Sequence, residues 1–236
     1  MRKPSEIRVA LAGGERTTAL FYAADEPRIG AALILGHGAG AGQQSPFMTS
    51  FAGALAARGA DVMTFNFLYT EQKRRLPDRA PALESCYRAV ITTARDRVGS
   101  ARGALFVGGK SMGGRIATQV AAADGDLPLA GLVLLGYPLH PPGRLDRLRD
   151  AHLPRVSRPM LFVQGTRDAF GTPDELAPIL ARVMPPPTMH AVAGGDHSFK
   201  VSGRDTGKQT AVYEEIQDAI TRWMSAIRSH RGDEPR

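Results

Sequence analysis

The sequence has a single cysteine, Cys86, among its 236 residues. One cysteine cannot form a disulfide within the chain, and it cannot build a metal site from several thiolates. The chain also has no run approaching the ~20 apolar residues of a membrane-spanning helix, and its start, MRKPSE, lacks the apolar stretch of a signal peptide. We therefore expect a protein of the reducing cytoplasm without a membrane partner, in which Cys86 is a small buried side chain.

The sequence also lacks the signs of a nucleic-acid-binding protein, although its formal net charge is +7. The arginines are spread along the whole chain, and the one basic run, KRR at 73–75, is short. No zinc finger, aromatic RNA-binding motif or long basic arm accompanies it. We interpret the charge as a solvated surface and expect no nucleic-acid partner. The alternative for Lys73, Arg74 and Arg75 is a rim that attracts an acidic substrate.

Short apolar runs and helical patterns alternate along the chain. Two segments of alternating polarity, 7–12 and 17–23, are separated by GGE and predict an antiparallel hairpin. Nearly continuous apolar runs, typical of strands buried on both faces of a parallel sheet, follow at 31–36, 61–67, 104–109, 129–136, 159–165 and 188–194. Helical patterns lie at 45–58, 80–97, 112–123, 173–183 and 207–228.

This alternation predicts an α/β fold with a mostly parallel central sheet, an N-terminal antiparallel hairpin and helices on both faces. We expect one domain over residues 1–236, with an ordered core of about 7–228, because no linker or internal repeat interrupts the pattern. Only about twenty residues, 137–157, separate two successive apolar runs near the middle of the sheet. They allow a short helix but only a minimal lid, so the site at this edge should be fairly open.

The segment GGKSMGGR, 108–115, allows two interpretations. With Ala104 it approximates the phosphate-binding loop of nucleotide hydrolases, whereas from Gly109 it reads G-x-S-x-G, the turn that presents a nucleophilic serine. A phosphate-binding loop must bend away from its strand at once, but residues 105–107 are bulky strand formers. We favour the second interpretation, in which a strand runs into a sharp turn at Ser111 and then into a helix.

A serine hydroxyl is a poor nucleophile at neutral pH, so it needs a base, and the base needs a group that holds its orientation. Asp168 follows a predicted strand in the segment TRDAFGTP, and His197 follows the last predicted strand in GGDHSF. Ser111 also follows a strand, and active sites of open α/β sheets form at the carboxyl ends of strands. Asp196 is the alternative acid, but adjacent residues usually point apart, so we prefer Asp168.

Acyl transfer also needs hydrogen-bond donors for an oxyanion. The first is the backbone N–H of Met112, directly after the serine. The second should come from the loop GHGAGAGQQSP, 36–46, because its small residues let the backbone approach a substrate closely. We assign Ala39 as this donor, with Gly38 or Gly40 as near alternatives.

Together these features resemble the α/β-hydrolase superfamily, and the order of elements agrees from about residue 7 to 228. The segments LGHGAGAG, FNFLYTEQKRRLPDRAP and GGKSMGGR look like a narrower group of small hydrolases similar to dienelactone hydrolases. That group includes a domain in a subunit of a chromatin acetyltransferase complex. Dienelactone hydrolases use a cysteine nucleophile, whereas this chain has Ser111. The resemblance implies a triad of Ser111, Asp168 and His197 and brings no particular substrate.

The sequence therefore predicts a serine hydrolase of a carboxylic ester or thioester that works through an acyl-enzyme. Ser111 attacks, His197 is the base, and Asp168 orients His197. This chemistry requires neither a metal nor an organic cofactor, so we expect none, and the expected partner is a small-molecule substrate. The alternative is an interaction module that keeps the fold while catalysis is weak or absent.

Overall fold

The computed structural model describes residues 3–202 and 206–232. The strands in these residues are β1 Ser5–Ala10, β2 Arg16–Tyr22, β3 Ala32–Gly36, β4 Asp61–Phe65, β5 Leu105–Lys110, β6 Gly131–Leu135, β7 Met160–Gly165 and β8 Thr188–Val192. They form one sheet in the order β1-β2-β4-β3-β5-β6-β7-β8. The pairings of β2 with β1 and with β4 are antiparallel, and the others are parallel.

Helices cover both faces of this sheet. They are α1 Pro46–Ala57, α2 Leu68–Glu71, α3 Ala80–Arg97, α4 Gly99–Gly103, α5 Met112–Ala123, α6 Pro173–Leu180 and α7 Thr206–Gly232. Single 3-10 turns lie at Ala12–Gly14 and Leu153–Arg155. The predicted fold class is thereby confirmed, including the N-terminal hairpin.

The bounds of several elements differ from the prediction, and three of the differences have a physical explanation. β4 ends at Phe65 rather than residue 67, because the chain turns there and the Asn66 N–H donates to the Thr18 carbonyl at 3.0 Å. The short helices α2 and α4 were not predicted, since four or five residues are too few to show a helical period. α6 stops at Leu180 because the N–H groups of Arg182 and Val183 donate to carbonyls three residues earlier rather than four.

A hydrophobic core lies on each face of the sheet, because successive side chains of a buried strand point to opposite faces. In β3, Leu33 packs in a cluster with residues of α1 and α7, whereas Ile34 packs in a second cluster with residues of α3, α5 and α6. Cys86 is buried in this second cluster, and burial raises the pKa of its thiol to about 12. The prediction of a small buried cysteine is therefore confirmed.

Parallel pairing brings the carboxyl ends of β3 and β5–β8 to one edge of the sheet. Residues 137–157, which leave β6 at this edge and are described throughout, contain a 3-10 turn and no α-helix. The edge is thus left without a lid domain, as predicted. In the part of the chain that the structure describes, no helix has both the length and the apolarity needed to cross a membrane.

Ile220 of α7 is fully buried against the sheet, so its side chain tests how much this helix contributes to stability. We expect Ile220→Ala to lower the free energy of unfolding by about 2–5 kcal/mol, because the truncation leaves a cavity. Arg222→Ala, at an exposed position of the same helix, should change it by less than about 0.5 kcal/mol. Equal midpoints of chemical denaturation for the two variants would contradict the docking of α7.

Candidate active site

Ser111 occupies a sharp corner between β5 and α5. Its backbone has φ 51° and ψ −115°, a conformation that L-residues rarely adopt. The corner is held on both sides: the Ser111 N–H donates to the Leu135 carbonyl at 2.9 Å, and the Ser111 carbonyl accepts from the Arg115 N–H at 3.1 Å. β5 continues through Lys110, so residues 105–108 are strand and cannot form a phosphate-binding loop. The serine interpretation of this segment is the one that fits.

The glycines on either side of Ser111 allow the corner to pack against the end of β3. Gly109 has φ 150°, and a Cβ on it would overlap the backbone of Gly36. A Cβ on Gly113 would overlap the same Gly36 carbonyl. Both positions therefore require glycine, and their spacing around Ser111 follows from the close approach of β3 to the corner.

His197 and Asp168 meet at Ser111 although they come from different loops. The Ser111 Oγ lies 2.9 Å from His197 Nε2. His197 Nδ1 lies 3.0 Å and 2.8 Å from the two carboxylate oxygens of Asp168. An ionised carboxylate can only accept, so Nδ1 carries the proton and Nε2 is free to accept one from the serine. The structure brings the three predicted side chains together in one hydrogen-bonded chain.

The Asp168 carboxylate is fully buried and is held by groups other than His197. Gln164 Nε2 donates to Asp168 Oδ2 at 2.9 Å, and the Phe170 N–H donates to Oδ1 at 2.8 Å. Gln164 is itself fixed, since its Oε1 accepts from the Tyr137 N–H at 2.8 Å. These donors fix the orientation of the carboxylate toward the imidazole.

The alternative acid, Asp196, has a different task. Its Oδ1 accepts from the backbone N–H groups of Ser198 and Lys200 at 2.7 and 2.9 Å. The carboxylate therefore shapes the turn that carries His197, as the opposite orientation of adjacent residues predicts. The Phe170 ring packs over the His197 ring with a centroid distance of 4.2 Å, which further restricts the imidazole.

The loop after β3 is fixed by the side chains of His37 and Tyr69, and the sequence did not reveal the role of Tyr69. His37 Nδ1 donates to the Gly38 carbonyl at 2.8 Å, while its Nε2 accepts from the Phe67 N–H at 3.1 Å. Tyr69 Oη donates to the Ala39 carbonyl at 2.8 Å. In a trans peptide the N–H points opposite to the C=O, so anchoring the Gly38 carbonyl also fixes the direction of the Ala39 N–H. Tyr69 is buried beneath this loop.

A cavity of about 640 Å³ opens at Ser111. The loop residues Gly38–Ala41, the start of α1 and the residues Met112 and His197 contribute to its wall. Its wall is mostly apolar, with side chains such as Phe47, Met48 and Leu83. Among the described residues, no group of three or more His, Cys, Asp or Glu side chains is arranged to hold a metal ion. The cavity suits a small organic molecule.

Lys110, next to the serine, is a buried cation in this wall. Its side chain is about nine-tenths buried, and its Nζ has no hydrogen-bond partner among the described residues. Nζ lies 5.6 Å from the centre of the Phe199 ring and 6.0 Å from that of Phe47. Burial lowers the pKa of Lys110 to about 8, although attraction to Asp168 partly opposes this shift.

The basic run 73–75 contributes nothing to the cavity wall described here. All three side chains are exposed, and Arg74 forms an ion pair with Asp78 at 2.6 Å. The solvated interpretation of this run fits the structure better than the rim interpretation.

Comparisons of the sequence and of the structure both match this chain to hydrolases. A family model described as an alpha/beta hydrolase domain matches residues 30–225. A serine hydrolase without a lid from Xanthomonas campestris has a TM-score of 0.71 at 19% identity, and the match covers 94% of this chain and 96% of that one. A dienelactone hydrolase from Anabaena variabilis has a TM-score of 0.70 at 18% identity, covering 92% and 97%. The esterase domain of a Rhodothermus marinus protein gives 0.67 at 14% identity, covering 94% and 99%.

The close contact between Gly113 and Gly36 predicts a severe effect of a single methyl group. We expect Gly113→Ala to lower the free energy of unfolding by about 1–3 kcal/mol or more, because the new Cβ meets backbone that cannot move away. A Cβ on Gly103, at the end of α4, would have no neighbour within 4 Å, so Gly103→Ala is the matched control. Thermal denaturation compares the two, and an equally stable Gly113→Ala protein would contradict the packing at the corner.

Burial of the Lys110 ammonium predicts a stability that depends on pH. Between pH 8 and 10.5 the native state has released a proton that the unfolded chain still binds, so the free energy of unfolding should rise by about 3 kcal/mol across this window. Lys110→Met keeps the length and removes the charge. We expect it to be more stable than the wild type at pH 7, with the difference disappearing near pH 10.5. Urea denaturation at several pH values measures this, and a destabilised variant at pH 7 would refute it.

Proposed function

The chain belongs to the alpha/beta hydrolase family, and on that premise we propose that it hydrolyses carboxylic esters or thioesters through an acyl-enzyme. The observation that carries the proposal is the continuous hydrogen-bonded chain from Ser111 through His197 to Asp168. The names of similar structures, a serine hydrolase and an esterase domain, agree with this reaction class. The proposed substrate is a small molecule that fits the cavity at Ser111.

In the first half of the proposed reaction, the Ser111 Oγ attacks the carbonyl carbon while His197 Nε2 takes the hydroxyl proton. The imidazolium that forms is stabilised by the Asp168 carboxylate on its Nδ1 side. His197 then gives the proton to the departing alcohol or thiol, which leaves the acyl group on Ser111. In the second half, a water molecule gives its proton to His197 and attacks the acyl-enzyme. Collapse of that intermediate returns the proton to Ser111 and releases the acid.

The negative charge on the carbonyl oxygen needs donors that are already in place. We assign this role to the backbone N–H groups of Met112 and Ala39. Met112 is the first residue of α5, so its N–H has no acceptor one turn earlier in the helix and lies at the positive end of the helix dipole. The hydrogen bonds of His37 and Tyr69 to the loop support Ala39, because they hold its two flanking peptides in fixed orientations.

We further infer that residues 1–236 act as one domain, since a single sheet supplies the loops of Ser111, Asp168 and His197. The alternative to catalysis is an interaction module, because a fold alone does not carry an activity. An interaction module would need neither the buried hydrogen bonds of Asp168 nor the strained backbone of Ser111, so both features favour catalysis. Labelling by an active-site reagent separates the two functions.

We expect a fluorophosphonate probe to label the wild-type protein with one adduct per chain, on Ser111. Ser111→Ala should abolish labelling, and Asp168→Asn should slow it roughly thousandfold or more, because the imidazole loses the carboxylate that holds its tautomer. Ser198→Ala is the control, since Ser198 lines the same cavity but is not part of the hydrogen-bonded chain of Ser111, His197 and Asp168. Intact-protein mass spectrometry gives the stoichiometry. A folded wild-type protein that remains unlabelled would support the interaction module instead.

A further inference from the structure

Two arginine side chains line the cavity beside Ser111 without a carboxylate partner. Arg115 lies one helical turn after the serine in α5, and Arg149 comes from the segment 137–157. None of the ion pairs between described residues includes either arginine. Both arginines therefore line one cavity, and neither forms an ion pair with a carboxylate among the described residues.

The surroundings of Arg115 are electrostatically unfavourable. Its Nε is buried and has no hydrogen-bond partner among the described residues. Burial lowers the pKa of Arg115, and repulsion from Arg149 lowers it further. Glu84 of α3 attracts Arg115, but the two form no ion pair. A partly buried cation that has no ion pair and lies beside a second cation is stabilised by any anion that enters between them.

The other charges of the cavity wall do not supply that anion. Asp78 is the one carboxylate that lines this wall among the described residues, and its Oδ1 already accepts from Arg74 at 2.6 Å. Lys110 adds a third cation to the wall. Three cations and one carboxylate, already paired with Arg74, thus line the space where a substrate would bind, and this excess of positive side chains favours a negatively charged molecule.

Both arginines are attached to a well-fixed backbone. The Arg149 N–H donates to the Leu139 carbonyl at 2.8 Å, and the Arg149 carbonyl accepts from Tyr137 Oη at 2.6 Å. Arg115 is part of α5, and helical side chains lean toward the N-terminus of their helix, which here is the end that carries Ser111. The backbone that carries the two side chains therefore needs no further ordering when a ligand binds.

We propose that Arg115 and Arg149 bind a carboxylate carried by the substrate, so that the preferred substrates are monoesters or monothioesters of dicarboxylic acids. This inference rests on the proposed function, because it places the reacting carbonyl at Ser111. Guanidinium groups suit the task since they bind carboxylates through paired, charge-assisted hydrogen bonds. Residues 111 and 115 are about one helical turn apart, roughly 5–6 Å along the axis, which suits an acyl chain of about four to six carbons.

The test compares two thioesters that differ only in charge: S-adipoyl-N-acetylcysteamine and its methyl ester. The released thiol is measured with a colorimetric thiol reagent, and the decisive quantity is the ratio of kcat/KM for the charged and the neutral substrate. We expect a ratio of at least tenfold for the wild type, since a hydrogen bond to a charged group contributes roughly ten- to hundredfold in binding. Arg115→Gln and Arg149→Gln should each bring the ratio close to one. Both substrates are measured with the same protein, so a general loss of folded or active protein lowers both kcat/KM values equally and leaves their ratio unchanged.

Arg144→Gln is the matched control. Arg144 lies in the same segment as Arg149, but it is exposed and paired with Asp146 at 3.2 Å. We expect this variant to keep the wild-type ratio, although it removes the same charge from the protein. A similar fall in all three variants would overturn the subsite and indicate a general effect of net charge. A wild-type ratio of one or less, with Ser111 labelled by the fluorophosphonate, would overturn the subsite and leave the proposed hydrolase function intact.

A binding measurement keeps the subsite testable without any hydrolysis. We expect folded Ser111→Ala protein to bind monomethyl adipate in a calorimetric titration at least tenfold more tightly than dimethyl adipate. Adding Arg115→Gln should remove that preference. The absence of a preference in the Ser111→Ala protein would overturn the subsite. A preference in a protein that no fluorophosphonate labels would support the subsite while contradicting the hydrolase function.

Discussion

The site depends on the backbone corner at Ser111. A residue with φ 51° persists only where its surroundings hold it, and here β6, α5 and the end of β3 hold it from three sides. The corner turns the serine out of the sheet toward the cavity and places the N-terminus of α5 beside it. The loops after β7 and β8 then need only bring Asp168 and His197 to a position that the corner has already defined.

Polar groups that are costly to bury surround this corner. The Asp168 carboxylate is satisfied by Gln164, Phe170 and His197, so its burial orients the imidazole at little loss of stability. Lys110 and Arg115 differ, because a buried nitrogen atom of each has no partner among the described residues. The protein thus satisfies its buried anion and leaves cations in the cavity wall unsatisfied. That asymmetry is the physical basis for expecting an anionic substrate.

Burial and turn chemistry leave local patterns in the sequence. They allowed us to predict the strands of the sheet and the positions of Ser111, Asp168 and His197 at strand ends. The residues that support this site could not be predicted from the sequence. Gln164 looks like an ordinary residue of a buried strand, and only the fold shows that it reaches Asp168. Tyr69 lies in a segment with no clear motif, and only the tertiary structure shows that it is buried and donates to the Ala39 carbonyl. Arg115 and Arg149 are separated by more than thirty residues, so their proximity depends on tertiary structure.

The central claim is that Ser111 carries the acyl group during hydrolysis. The most direct measurement quenches the protein with acid during turnover of a reactive aryl ester and locates the added mass by peptide mass spectrometry. We expect one acyl group, on the peptide that contains Ser111, and it should appear as fast as the first equivalent of phenol is released. Steady hydrolysis with no acyl group on Ser111, or with the acyl group on another residue, would contradict this claim.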